Sequence, residues 1–351
     1  MYIERILKIA LLKALKQFGA VLVTGPRQAG KSTFLQHTLK DYKYVSFDDI
    51  LVRNLAQTDP ELFLKTYDVP VILDEIQYVP TILSYIKMRI DADRRKYGQY
   101  VLTGSQIFSF MQGVSESLAG RIAVFQLFPL SWKEIKQVDL FDEIKMAKIM
   151  LQGFYPEFYV QVDLDAKFWH SSYLSTYIER DLRTMRNIHD LGQFQRFLVL
   201  LSTRVGQLFN LSEISKECGI SQTTAKDWLT LLQATSIIYL LEPFTRNITK
   251  RMVKSCKLLF VDTGILCYLL RIQNVEQLVN SPFVGHIFEN MVIMEKIKDF
   301  AMRGERAPCY FYRTQDGMEI DLLIDNGQSF DGYEIKFTKC AVKPLDLSMG
   351  I

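Results

Sequence analysis

The chain has 351 residues, 42 Lys plus Arg against 39 Asp plus Glu for a formal charge of +3, and a 48% hydrophobic fraction. This excludes a disordered chain and, at about 100–200 residues per domain, predicts two or three domains with sizeable cores. The charge is too small to announce a nucleic-acid binder, although a basic face can hide inside a balanced total.

In Met1 to Gly19, apolar Ile6, Leu7, Ile9, Leu11, Leu12 and Leu15 alternate with Lys8, Lys13 and Lys16. That spacing predicts an amphipathic helix, because a signal peptide places its basic residues ahead of an unbroken apolar core. No apolar run approaches the ~18 residues of a membrane span. The cysteines Cys218, Cys256, Cys267, Cys309 and Cys340 are scattered and form no C-x-x-C pair. A cytoplasmic protein with reduced thiols and no membrane partner is expected. His37, His170, His189 and His286 show no metal-ligand spacing, and Trp132, Trp169 and Trp228 fall in helical patterns as core.

Short β-rich runs at Ala20–Thr24, Tyr44–Phe47, Val71–Leu73 and Tyr100–Thr103 alternate with helical patterns at Ser32–Leu39 and Thr81–Arg94. Strands separated by helices predict an α/β domain whose parallel sheet is covered on both faces. The middle is helical until a strand candidate at Ser236–Leu241. The last part returns to a mixed pattern, with a helix near His286–Phe300 and strand candidates Cys309–Arg313, Glu319–Ile324 and Tyr333–Phe337. The expected domains are 1–135, 136–250 and 251–351, the last a small α/β unit.

Gly25-Pro26-Arg27-Gln28-Ala29-Gly30-Lys31-Ser32, followed by Thr33, fits G-x-x-x-x-G-K-[ST] after an apolar strand and at a helix start. Glycines let the backbone bend around phosphates, and the helix N-terminus presents free N–H groups to the anion. Lys31 then reaches the β- and γ-phosphates of ATP, and the Ser32 hydroxyl ligates Mg²⁺. Val71-Ile72-Leu73-Asp74-Glu75 is the Walker B pattern, an apolar strand ending in two acids. It assigns Asp74 to the Mg²⁺ shell and Glu75 to polarising the attacking water. Glu75 is what distinguishes hydrolysis from binding alone.

The strand Tyr100–Thr103 runs into Gly104-Ser105-Gln106, where Ser105 is either a γ-phosphate sensor or part of a turn of small polar residues. Arg121, at the end of Leu118-Ala119-Gly120-Arg121, either caps transition-state charge, in cis or across a subunit boundary, or is a solvated residue at a strand start.

Leu211 to Ser221 predicts a short helix and a tight glycine turn, with Ser221 as N-cap of a second helix from Gln222 to Gln233. This is helix-turn-helix spacing, with Ala225, Leu229 and Leu232 as the buried stripe. Gln222, Thr223, Thr224 and Lys226 are placed to reach base edges, and Arg246, Lys250, Arg251, Lys254 and Lys257 would form a basic wing on DNA. A rigid lid or protein-contact module is the alternative use.

The motifs Gly25 to Ser32, Leu73-Asp74-Glu75-Ile76-Gln77, Leu102-Thr103-Gly104-Ser105 and Leu118 to Arg121, with Gly153-Phe154-Tyr155-Pro156-Glu157 and Tyr177-Ile178-Glu179-Arg180-Asp181-Leu182, resemble prokaryotic AAA-type P-loop ATPases with an uncharacterised C-terminal domain. The resemblance spans almost the whole chain. It implies an AAA-type ATPase domain, a winged-helix-like middle, and a terminal unit similar to the PD-(D/E)xK restriction-endonuclease-like fold. In that likeness Glu289, Asp321, Glu334 and Lys336 form a nuclease site, with Asp321 and Glu334 holding Mg²⁺ and Lys336 orienting water. Strand alternation puts Glu334 and Lys336 on one side. The sequence ends at Ile351, soon after the E-x-K run, so a truncated or degenerate nuclease-like fold serving as a binding module stays open.

Two functions follow. The first is an Mg²⁺-dependent ATPase coupling ATP hydrolysis to action on DNA. The second is an ATP-controlled switch or scaffold for protein partners or for a homo-oligomer. A small-molecule kinase ranks last, because no acceptor site is recognisable.

Overall fold

A computed structural model of the chain describes residues 2–104, 114, 117–138, 143–161, 163–177, 190–245, 255–314, 318–337 and 344–345. The chain divides into two compact units: Met1–Glu134 with Ala234–Ser236 and Lys298–Arg306, and the remainder.

The first unit is built on a five-stranded sheet ordered β2-β3-β4-β1-β5. Its strands are β1 (Ala20–Thr24), β2 (Lys43–Ser46), β3 (Val71–Asp74), β4 (Tyr100–Gly104) and β5 (Ile122–Gln126). Every pairing is parallel. The two-residue period of the strands sorts their side chains into two cores. Ala20, Leu22, Val71, Leu73, Tyr100 and Leu102 face one core, with Phe63, Ile82, Ile86 and Ile90 from the helices Pro60–Thr66 and Ile82–Ala92. Val21, Val23, Ile72 and Val101 face the other. There the amphipathic N-terminal segment lays Leu7, Leu11, Ala14 and Leu15 beside Phe34 and Leu35 of the helix Lys31–Thr38. Asp49 and Asp59 begin their helices by accepting backbone N–H bonds, Asp59 just ahead of Pro60 at the first helical position.

The second unit holds the helices Leu191–Ser202, Leu211–Cys218 and Gln222–Ala234, and an antiparallel pair of β6 (Ile238–Leu241) and β7 (Lys257–Phe260). Since β6 pairs with β7, residue 250 falls between partner strands of one sheet. Most of the helix Val284–Met302 follows, and then β8 (Cys309–Arg313), β9 (Glu319–Asp325), β10 (Phe330–Tyr333) and β11 (Pro344–Leu345), joined in the order β11-β10-β9-β8. The strand expected at Tyr333–Phe337 is instead Phe330–Tyr333. One cause is visible: the Ile335 N–H donates to Asp321 Oδ2 at 2.8 Å, taking a donor that a further strand partner would need.

Candidate functional site

β1 ends at Thr24, and Gly25 to Gly30 form the loop that leads into the helix Lys31–Thr38. Gly25 has φ +142, and a Cβ there would lie 2.1 Å from the Leu127 carbonyl oxygen, so only glycine fits. Gly30 caps the helix at φ +85, and Gln28 is left-handed at φ +61. Pro26 and Ala29 are buried, Arg27 is half-buried and Thr33 is exposed in the first helical turn. Lys31 Nζ folds over the loop and donates to the carbonyls of Gly25 (3.0 Å) and Pro26 (2.9 Å).

Ser32 Oγ stands 3.0 Å from both oxygens of Asp74, a buried carboxylate at the end of β3. Two further hydroxyls converge on it. Tyr44 donates to Oδ2 at 2.5 Å, and Thr103 donates to Oδ1. Burial, then the adjacent Asp74, holds the Tyr44 phenol well above its usual range, so it remains a donor. Glu75 leaves the strand at φ +57; its N–H donates to Thr103 Oγ1 at 3.2 Å, and its carboxylate accepts from the Gln77 amide. A left-handed non-glycine residue is uncommon and collects at functional sites.

Three residues here escape the sequence reading: Thr103, Tyr44 and Arg5. Thr103 stands one register step beyond the Leu73–Leu102 pair, and Tyr44 two residues before the Ser46–Asp74 pair, so strand order is the signal for both. Arg5 is buried and donates to Ala29 O in the phosphate loop (2.8 Å), to Phe128 O (2.6 Å) and to Glu134 Oε1 (3.1 Å).

Arg121 is elsewhere. Ala20 pairs with Ile122 and Thr24 with Gln126, so Arg121 lies at the N-terminal edge of the sheet, about 16 Å of strand from the phosphate loop. Its guanidinium is held by both Asp91 oxygens at 2.8 and 3.0 Å. A role on the phosphates of its own chain is therefore corrected. Ser105 lies outside the described residues.

In the second unit Asn210 caps the helix Leu211–Cys218 and Gly219 ends it at φ +69. Ser221 Oγ accepts the Thr224 N–H at 3.0 Å at the start of Gln222–Ala234. Ala225, Trp228, Leu229 and Leu232 are buried, Trp228 lying edge-on to Phe194 and Phe197. Gln222, Thr223 and Lys226 are exposed, whereas Thr224 is half-buried. Arg246, Lys250, Arg251 and Lys254 lie outside the described residues. Lys257 is buried, which corrects its place in a basic wing.

Glu289, Asp321, Glu334 and Lys336 do come together, lining one cavity of about 420 Å³ with Lys257, His286 and Glu319. Asn290 docks its helix on β7 by exchanging two bonds with the Phe260 backbone (2.7 and 2.9 Å), which brings the neighbouring Glu289 to Lys257. Glu319 and Asp321 point the same way from β9 because they are two residues apart. Lys257 Nζ meets Glu289 Oε1 at 2.8 Å, Glu319 Oε1 at 2.6 Å and Asp321 Oδ1 at 3.6 Å. Burial by itself would lower the Lys257 ammonium; Glu289 and Glu319 outweigh it and raise it. Burial likewise opposes ionisation of Glu289, but His286 and Lys257 hold its carboxyl below the usual range. Asp321 is raised, mainly by burial.

Phosphate loop, acid pair and parallel sheet define an AAA-type P-loop ATPase domain. Residues 17–136 match the family described as an AAA domain, 144–276 a domain of unknown function (DUF8612) and 284–346 a second one (DUF4143). Uncharacterised proteins of Mycobacterium tuberculosis and Mycobacterium bovis are each 30% identical over 330 residues, 93% of this chain and 72% of theirs. The chain belongs to the same family of AAA-domain proteins. An uncharacterised protein of Haemophilus influenzae is 22% identical over 277 residues, 70% of this chain and 67% of its own. Among solved structures, a Walker-type ATPase of Pyrococcus abyssi matches with TM-score 0.48 and 14% identity over 75% of this chain and 94% of that one. RuvB of Thermotoga maritima matches with TM-score 0.34 and 17% identity over 66% and 86%. Among the described residues no helix is long and apolar enough to cross a membrane.

Proposed function

We propose that the protein is an Mg²⁺-dependent ATPase that uses Glu75 to activate water. The observation that carries this reading is the meeting of Ser32 and Asp74 at 3.0 Å beside the phosphate loop, with Glu75 turned out of the strand immediately after. A hydroxyl and a carboxylate are the oxygen donors that Mg²⁺ prefers, so the residues present fit the ion. When bound it would neutralise charge on the β- and γ-phosphates. The chain does the rest. Backbone N–H groups from Arg27 to Thr33 bind phosphate oxygens, and Lys31 exchanges its loop carbonyls for them. Tyr44 and Thr103 fix the rotamer of Asp74, and Glu75 accepts the proton of the attacking water. The test is steady-state phosphate release from ATP with Mg²⁺ or EDTA. Lys31→Ala and Glu75→Gln should each abolish it; a rate that survives both overturns the assignment.

A second reading is that hydrolysis acts on DNA. It is supported by exposed Gln222, Thr223 and Lys226 at the start of the second helix of a helix-turn-helix, followed by a β-hairpin. Duplex or branched DNA should then raise the rate. A mutation-sensitive rate indifferent to DNA points instead to an ATP-controlled switch for protein partners or self-assembly.

A further inference from the structure

The likeness to metal nucleases implies a divalent cation beside Asp321 and Glu334, and the residues present do not fit one. Among the described residues no group of three or more His, Cys, Asp or Glu side chains is arranged to hold a metal ion. The place is taken from within the chain. Lys257 enters from β7 with its side chain only 3% exposed, and three carboxylates from two other elements converge on its ammonium.

We infer that Lys257 is the resident cation of this cavity: its ammonium stands where a divalent ion would bind, and the carboxylate cluster is closed without metal.

Each carboxylate that a metal would need has a partner on at least one oxygen. Glu289 Oε1 and Glu319 Oε1 bond the ammonium, and Asp321 Oδ2 accepts the Ile335 N–H. Glu334 pairs with Lys336, the lysine that would orient water, and both of these side chains are largely exposed. A divalent ion bound to these carboxylates would sit against a buried positive charge, which repels it. Parting that ammonium from its carboxylates would leave a buried charge without its acidic partners, which is strongly destabilising. The cavity consequently holds a built-in cation at the point where its carboxylates converge, and metal-dependent phosphodiester cleavage is not its chemistry. This inference is independent of the ATPase reading, and its test measures no turnover.

The experiment titrates Mn²⁺ alone into the full chain carrying Asp74→Asn, which weakens metal uptake at the nucleotide site, with free Mn²⁺ read by electron paramagnetic resonance. With Lys257 in place the cavity should take up none. Adding Lys257→Met keeps the apolar stem, removes the charge, and should create one Mn²⁺ site per chain, lost again when Asp321→Asn is included. Uptake that needs Asp321 while Lys257 is present overturns the inference, as does a folded Lys257→Met chain that binds nothing. Should that variant fail to fold, amine acylation of the natural chain, mapped by mass spectrometry, decides. Lys336 should react and Lys257 stay protected with or without Mn²⁺, whereas acylation of Lys257 induced by Mn²⁺ shows the ammonium displaced and overturns the inference.

Discussion

Each unit holds a carboxylate site, and the acids of the two sites are partnered differently. Around Asp74 the partners are hydroxyls from Ser32, Tyr44 and Thr103, which orient the group but leave its charge uncancelled. Around Glu289, Glu319 and Asp321 the partner is an ammonium, which offsets one unit of their charge as well as bonding oxygen. The first arrangement is prepared for a cation and the second already has one. Acidic residues at strand ends therefore do not specify a metal site; the charge of their neighbours does.

This contrast is broken most severely at Glu75. If it accepts the proton of the attacking water, Glu75→Gln should lower ATP turnover by about 10²–10⁴-fold while nucleotide binding persists, read by phosphate release alongside a fluorescent-nucleotide titration. Equal loss of binding would make Glu75 a structural residue.

Arg5 tests the frame behind the phosphate loop. Removing it takes the cationic partner from buried Glu134, leaving that carboxylate the Ile6 and Ser131 N–H bonds, and removes the Arg5 bond to Ala29 O, so Arg5→Ala should cost about 3–5 kcal/mol in denaturant unfolding of the first unit. A loss under 1 kcal/mol would show the loop to be held by other contacts.

A smaller effect is expected at His170, a buried imidazole in the second unit packed against Phe158 and Trp169, with Nε2 3.1 Å from Gln152 O. Burial lowers its pKa below the ordinary 6.5. The unfolded chain therefore takes up this proton first, and stability should fall as pH drops below about 6.5, until the folded-state pKa is also passed. His170→Phe should flatten that part of the stability profile measured by thermal unfolding. An unchanged slope assigns it to other groups.

The least effect is expected from Arg121→Ala. Its partner Asp91 lies away from the phosphates, so turnover should stay within about twofold. A collapse of 10³-fold or more would mean that Arg121 reaches a neighbouring subunit.

The phosphate loop, Asp74 and Glu75 were legible because contiguous residues form them: a glycine turn, a helix start and the end of one buried strand. So were the Ser221 cap and the stripe through Ala225, Leu229 and Leu232, which depend on local spacing. Arg121 misled because its distance from the loop depends on the parallel register of β1 and β5, and no local pattern records that register. Lys257 misled more. Beside Arg251 and Lys254 in the chain it reads as one of a basic run, yet it begins a buried strand.

The sequence by itself determined where β1, β3, β4, β8 and β9 run and which short motifs can meet phosphate, because periodicity and turn chemistry act over a few residues. Only the tertiary structure decided which groups partner each of these acids. Tyr44 and Thr103 reach Asp74 through strand order, and Lys257 reaches Glu289 across 32 residues of chain. Electrostatic partnership depends on distance in space and on exclusion of water, and folding sets both.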